Sequence, residues 1–527
     1  MEERSFKIIT DPNEICLHDE SYFKGKAKYF FRAENKKELV DAVKYCYEHG
    51  LTMTFQGSRT SITGASAPLS DVVFDLSCLN HILGMRKSDG TYRVIVEAGL
   101  TLGDLQAALA AKSFETSSWD EESRETLRRF TAEQRQVFPI TPTETMASLG
   151  GMFMCNAGGM DSDIVGSMVD SVEAVELLTA DGRLLTIRRE DAEMDDGDFS
   201  EMLSAVIRDH SMAHSAVIGR FLPEDGKGPL EFLAGTEGVY GVVTELTLTL
   251  CPAAEGSWGI LAFFFEEDSC AGFCEKMLQR PLAGSVLIGL EFYDQKALQI
   301  ITAFRKETGR LAALPEIDQR AAAAVYLELA ERDPGVSMED DLFDILELLT
   351  EYGVEEQMTW AGTGRTEINK FRDLRHVLPQ AVNEIVARKN SLCPEVIKLS
   401  TDFQTPKRRF REWLNRLRTD ARREELPVVI FGHVRRQHLH CNFLCDDAAQ
   451  VERAKELICQ WARMTLEDGG RIMSENGIGK TKRYLVDRFA SEEEKRELIA
   501  IKRMFDEKWL LNPGNVLSED ALKSAKR

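Results

Sequence analysis

Two glycine-rich loops constrain this chain more than any other feature. The denser one contains Thr141-Pro142-Thr143-Glu144, Ser148-Leu149-Gly150-Gly151 and Asn156-Ala157-Gly158-Gly159. The other, Gln56-Gly57-Ser58-Arg59-Thr60-Ser61-Ile62-Thr63-Gly64, follows the apolar run Leu51 to Phe55, as a loop leaving a strand does. Glycines at this density mark backbone that turns through φ > 0 or lies against a ligand. Adjacent free N–H groups in such loops form a concave anion site suited to a pyrophosphate. Tight turns explain either loop alone; the two in series point to one bound dinucleotide. No G-x-G-x-x-G occurs, so there is no Rossmann fingerprint. Gly479-Lys480-Thr481 ends like a P-loop, but the first glycine of that motif falls on Ser474. A P-loop ATPase is therefore the competing reading, to be tested at Lys480.

A chain of 527 residues is too long for one core and implies two or three domains. Its formal net charge of -22 argues against nucleic acid or an anionic membrane as a partner of the whole surface. A local basic pocket for an acidic substrate is still allowed. The 11 cysteines form no C-x-x-C, although Cys270/Cys274 and Cys441/Cys445 are spaced by four. They read as reduced thiols filling cores, and not as an iron–sulfur site. The N-terminal MEERSFKIITDPNE has no apolar h-region, and no run is long enough for a membrane span. The expected location is cytoplasmic.

Along the chain, Leu39, Val40, Val43 and Cys46 give a helical period over Lys36 to Glu48. Strands are expected at Leu51 to Phe55, Val72 to Leu76 and Tyr92 to Ala98, followed by a helix at Leu102 to Ala111. Ser113 to Gln136 reads as a surface insertion carrying a helix, either a partner contact or solvated decoration. Val172 to Leu178 is a strand with a hairpin signal at Asp181-Gly182. Glu190 to Asp198 is an acidic loop without EF-hand spacing. Gly235-Thr236-Glu237-Gly238 then leads into a strand at Val242 to Leu250. From about Trp258 the elements lengthen, with strands at Gly259 to Phe265 and Ser285 to Tyr293 and helices at Gln295 to Thr308 and Asp340 to Tyr352. The division predicted is 1–252, 253–465 and a C-terminal return at 466–527.

The strand Val428 to Phe431 leads into Gly432-His433 and then His438-Leu439-His440, so three of the nine histidines fall within eight residues. On an extended strand His438 and His440 share a face. Imidazoles so concentrated suit a borderline divalent metal, with Glu475 of Ser474-Glu475-Asn476-Gly477-Ile478-Gly479 as the nearest suitable carboxylate. Spacing alone leaves a merely histidine-rich surface strand as the other reading.

Taken in order, these motifs resemble the FAD-linked oxidase family of D-lactate dehydrogenases, the glycolate oxidase flavoprotein subunit and D-2-hydroxyglutarate dehydrogenase. The resemblance runs from about residue 25 to 517 and closes on Asn512-Pro513-Gly514. It implies an α+β chain: a two-part FAD-binding domain of the vanillyl-alcohol oxidase type with an α+β cap domain. Non-covalent FAD would be held by Gln56, Gly57, Ser58, Arg59, Thr60, Ser61, Gly64, Pro142, Thr143, Ser148, Gly150, Gly151, Asn156, Ala157, Gly159, Glu237, Gly238, Val242 and Asn512. His433, His440 and Glu475 match the family's ligands for a divalent metal, Zn, Mn or Fe. Arg375 matches an arginine that pairs with the substrate carboxylate, and Lys398 is a fainter candidate. The implied reaction oxidises a 2-hydroxy acid, with hydride passing to flavin and electrons to a non-nicotinamide acceptor. That acceptor is an electron-transfer flavoprotein, an iron–sulfur subunit or a quinone.

The chain departs from the family around one expected site. Asn476 stands where the family has its catalytic histidine, and an amide is no base near neutral pH. Arg435-Arg436-Gln437-His438 replaces the usual Gly-Asp-Gly-Asn. Three explanations stay open. His438 takes over as base; or Arg435 and Arg436 bind an extra anionic group of a larger acid; or the protein is an electron-transfer subunit or a non-redox flavoenzyme, as the alkyl-dihydroxyacetone-phosphate synthases are. A solvated turn is the plain alternative for the two arginines.

Overall fold

A computed structural model describes residues 9–10, 12–189, 228–253, 256–333, 335–405 and 410–518; the acidic loop Glu190 to Asp198 lies outside them. The chain divides into two compact units. The first comprises Met1–Gly159, Val165–Ala253 and Glu475–Arg527, and the second Met160–Ile164 with Ala254–Ser474.

In the first unit, Tyr29–Arg32, Val72–Asp75 and Met53–Gln56 pair in parallel, with the short strand Ile9–Thr10 antiparallel at the edge. Helix Lys36–His49 covers them. Asn35 caps its start, Gly50 ends it in the left-handed region, and Leu39, Ala42, Val43 and Cys46 form its buried stripe. A five-stranded antiparallel sheet runs Ile82–Ser88, Thr91–Glu97, Val242–Thr249, Val172–Leu178 and Leu184–Arg188. The last two strands form the hairpin expected at Asp181-Gly182, with Gly182 at φ 83°.

The stretch Ser113 to Gln136 is more than decoration. It forms helix Glu121–Ala132, which buries Phe130 edge-on against Tyr92. Trp119 is only 2% exposed and donates from Nε1 to the Ile82 carbonyl at 2.7 Å. Much of the charged composition belongs to the outer face of the helix.

The second unit is built on one antiparallel sheet, in the order Thr359–Thr363, Ser257–Phe264, Ala323–Glu331, Ser285–Asp294, Val428–His433, His438–Phe443, Leu399–Ser400, with Phe403–Gln404 also pairing His438–Phe443. Helices Gln295–Thr308 and Gly364–Leu392 pack on it through a core of Ile301, Phe304, Phe371, Leu374, Val377 and Leu378. Strand Ala323–Glu331 is buried along almost its whole length, as a strand covered on both faces must be. The fifth and sixth strands in this order carry the histidines.

Candidate active site

The first glycine loop leaves strand Met53–Gln56 and is closed at its base by Gln56, whose Nε2 donates to the carbonyls of Cys16 and Ser66, both at 2.8 Å. Ser61 Oγ accepts from the N–H groups of Thr63 and Ala65 at 3.2 and 3.3 Å. Arg59 sits at φ 60°, so the backbone reverses at the loop's tip. Among the described hydrogen bonds none uses the N–H groups of Ser58, Arg59 or Thr60, all half-buried. A run of spare donors at a turned backbone suits a pyrophosphate.

The second loop is not the open concave nest its glycines suggest. Leu149–Cys155 is a short helix, capped by Ser148, whose Oγ accepts from Gly151 N. Gly150 is there for contact: a Cβ on it would lie 2.6 Å from the Ala98 Cβ. The two glycine loops nevertheless meet, since a Cβ on Gly57 would fall 2.0 Å from Ser148 Oγ. Pro142 and Thr143 lie half-buried ahead of the cap. Asn156 ends the helix in the left-handed region, and its Oδ1 accepts from Val169 N at 3.1 Å; Ala157 N donates to Met152 O. Gly159 is the last residue before the chain enters the second unit.

The C-terminal return ties these loops together within the first unit. Buried Glu237, at φ 53°, accepts from Gly479 N at 2.9 Å and from Ile478 N. Asn512 accepts from Phe55 N at 3.0 Å through Oδ1 and donates to the Glu237 carbonyl at 2.9 Å through Nδ2, which lies 2.3 Å from where a Gly238 Cβ would be. Val242 opens the strand beside Leu178. Thr63 Oγ1 donates to the Asn476 carbonyl at 3.4 Å.

Lys480 Nζ donates to the Gly64 carbonyl at 3.1 Å and to Asn515 Oδ1 at 2.5 Å. Burial pushes its pKa down to about 8, against the opposing charges of Asp19 and Glu237. A lysine so enclosed is a fastener of the loop, and the P-loop reading falls with it.

In the second unit, strands Val428–His433 and His438–Phe443 form a hairpin in which His433 faces His438 and Phe431 faces His440. The ring centroids lie 5.5 Å apart for His433 and His438, 5.4 Å for His433 and His440, and 4.5 Å for His438 and His440. One ligating nitrogen from each falls within 4.8 Å of the others. This is a geometry and donor chemistry that a borderline divalent ion fits. Glu475 follows directly on Ser474, where the chain leaves the unit.

Sequence reasoning missed the carboxylates behind these rings. Glu291, on the neighbouring strand, contacts His433 Nδ1 at 2.6 Å and accepts from Arg375 Nε at 3.1 Å. Burial pushes the Glu291 carboxyl upward, but the charges of His433 and Arg375 outweigh it and hold the pKa at about 2. With Nδ1 engaged, His433 presents Nε2 to its fellow histidines. His438 is fully buried, with Nε2 2.9 Å from Asp402 Oδ1. Arg375 is thus buried in an ion pair and is no surface residue of its helix. Lys398 is also buried and donates to Asn383 Oδ1 at 2.8 Å. The one signal for Glu291 is an acid inside a largely apolar strand, SVLIGLEFYD, which ends on a second acid, Asp294.

Comparison with known proteins places the two halves of this arrangement. Residues 27–118 and 122–188 match the family model described as FAD binding domain, and residues 261–516 match FAD linked oxidases, C-terminal domain. A D-lactate dehydrogenase of Anaerostipes hadrus is 24% identical over 96% of this chain and 93% of its own length. The mitochondrial D-2-hydroxyglutarate dehydrogenase of Bos taurus is 22% identical over 98% of this chain and 82% of its own. Glycolate oxidase subunit GlcD of Bacillus subtilis (strain 168) is 22% identical over 93% and 88%. Among solved structures, an alkyldihydroxyacetonephosphate synthase shares the fold, at TM-score 0.55 and 13% identity over 93% of this chain and 76% of that one. No helix among the described residues is long and apolar enough to cross a membrane. With an FAD-binding domain at one end and the oxidase C-terminal domain at the other, the chain belongs to the FAD-linked oxidases.

Proposed function

We propose that this chain is a dehydrogenase of 2-hydroxy acids with non-covalent FAD, acting in the cytoplasm and passing electrons to a flavoprotein, iron–sulfur or quinone acceptor. The relatives named for D-lactate, D-2-hydroxyglutarate and glycolate support the substrate class. The observation that carries the reading is the histidine hairpin with a carboxylate behind each of two rings.

Residues 1–252 and 466–527 bind FAD, the spare N–H groups of Ser58 to Thr60 holding its pyrophosphate and the cap of Ser148 closing the second loop against it. Residues 253–465 hold the acid. His433 and His440 bind a divalent metal, with Glu475 as the carboxylate ligand. When bound, the flavin supplies a hydride acceptor and the metal a Lewis acid that lowers the pKa of the substrate hydroxyl. His438 takes the hydroxyl proton, with Asp402 orienting its ring. Arg375 pairs with the substrate carboxylate, its guanidinium steadied through Nε by Glu291. Asn476 then has no proton to carry and serves as a neutral amide donor.

The test is anaerobic mixing of the yellow protein, supplied with metal, with a panel of D-2-hydroxy acids. Bleaching of the flavin band by one of them supports the reading; an unchanged spectrum with all of them ends it.

A further inference from the structure

The turn joining the two histidine strands, residues 434–437, is held rigidly. Val434 N donates to the Leu290 carbonyl at 2.8 Å, Gln437 N to the Val434 carbonyl at 3.0 Å, and Thr405 N to the Gln437 carbonyl at 3.2 Å. Gln437 takes φ 52° to close it. The arginines on this turn are no solvated pair: their side chains are 21% and 14% exposed. Both turn to the same acid, with Arg435 Nε 3.5 Å from Asp163 Oδ2 and Arg436 Nε 3.5 Å from Asp163 Oδ1. Arg436 Nη2 also donates to Ser474 Oγ at 3.3 Å.

Two guanidiniums thus contact one carboxylate in a largely buried place. The pairing is also loose, because a charge-assisted N–H···O contact closes to about 2.7–2.9 Å. Arg435 Nη1 is buried with no hydrogen-bond partner. A buried guanidinium donor left unsatisfied is costly unless a ligand completes it. Arg435 lies two residues along the chain from His433, a span of at most about 7 Å. That is the reach of a short acid from its reacting carbon to its far end.

We propose that Arg435, Arg436 and Asp163 form an anion subsite selecting 2-hydroxy acids with a second anionic group, carboxylate or phosphate, at the far end. The proposal rests on the hydroxy-acid reading above. Asp163 sets the threshold: its carboxylate already occupies the guanidiniums in part, so a weakly polar tail gains nothing there and a full charge does.

The experiment is anaerobic flavin reduction by the full FAD-loaded chain. D-lactate and D-2-hydroxybutyrate are compared with D-malate, D-2-hydroxyglutarate and D-3-phosphoglycerate. The wild type is expected to favour dianionic acids in kcat/KM, the better of the carboxylate or phosphate arm naming the group. Arg435→Ala and Arg436→Ala should cut the ratio of dianion to monoanion by about 10- to 100-fold, the worth of a hydrogen bond to a charged group. Asp163→Asn removes the competing charge and should lower KM for the dianions specifically. A clamp of purely structural purpose predicts instead that Asp163→Asn impairs all acids alike and lowers Tm. A wild-type ratio near one, or arginine variants that slow every acid equally, overturns the subsite while leaving hydroxy-acid oxidation standing. If no acid bleaches the flavin, the functional reading fails and the subsite with it.

Discussion

Glu291 meets Nδ1 of His433 at 2.6 Å across adjacent antiparallel strands, where the two residues are direct register partners. The same carboxylate holds Arg375, so one buried acid fixes both a ring of the histidine cluster and the arginine beside it.

The first prediction concerns that acid. Glu291→Gln preserves shape and removes the charge, so divalent metal affinity is expected to fall about 10- to 100-fold. Chelator competition with Zn²⁺ measures this, and Glu291→Asp should recover part of the loss. An affinity that does not move in Glu291→Gln would falsify the orienting role.

The second concerns His438 and Asp402, whose side chains are both fully buried and 2.9 Å apart. His438→Asn should slow single-turnover flavin reduction by about 10²- to 10⁴-fold, the usual worth of a general base. Asp402→Asn should slow it less, with KM little changed. Stopped-flow absorbance reads both, and flavin content reports folding. Reduction at the wild-type rate in His438→Asn would remove that residue from the chemistry.

A third prediction follows from the contact between the two glycine loops. In Gly57→Ala the new methyl collides with Ser148 Oγ, 2.0 Å from the ideal Cβ position. The ratio of flavin to protein absorbance after purification should drop severalfold. Adding Ser148→Ala should restore part of it, at a cost of about 1 kcal/mol for the lost helix cap. Full occupancy in Gly57→Ala would show that the loops part freely.

The fourth is a pH dependence. Burial lowers the Lys480 ammonium from its ordinary value of 10.5 to about 8. Between those values the unfolded chain binds more protons than the folded one, so this group's contribution to stability rises with pH. Below pH 8 the folded state bears the full cost of a buried cation, about 1.4 kcal/mol for each tenfold loss of proton affinity. Relative to Lys480→Met, the wild type should therefore gain in denaturant midpoint from pH 8 to 10. A constant difference would place Lys480 in contact with water. Neither protein is expected to bind ATP.

Much of the site is legible in the sequence because its signals are local. Glycines cluster within a loop, and a period of two puts His438 and His440 on one face wherever the strand lies. The helix at Leu149–Cys155 reads instead as a glycine loop, since glycine density hides the Ser148 cap and the apolar side formed by Leu149, Met152 and Phe153. The pairing of the carboxylates with the histidines cannot be read at all. Glu291 and His433 are 142 residues apart, and only the strand order of the sheet brings them together. Strand Ala323–Glu331 lacks alternation because both of its faces are covered. Helix Gly364–Leu392 is obscured by Pro379, which in a sequence reads as a break.

The stitching of residues near 510 onto strand Met53–Gln56 bears on how the protein is made. Met53 N donates to Leu510 O and Asn512 N to Met53 O, both at 2.7 Å. Asn512 also reaches Phe55 across 457 residues of chain, so an early strand is finished by a segment synthesised much later. At roughly 5–20 residues per second, that strand waits tens of seconds for its neighbour. A nascent chain therefore carries its glycine loops unbraced through most of translation, and a premature stop anywhere before residue 510 leaves them so. Cofactor capture becomes a late event in biogenesis, timed by the arrival of that segment.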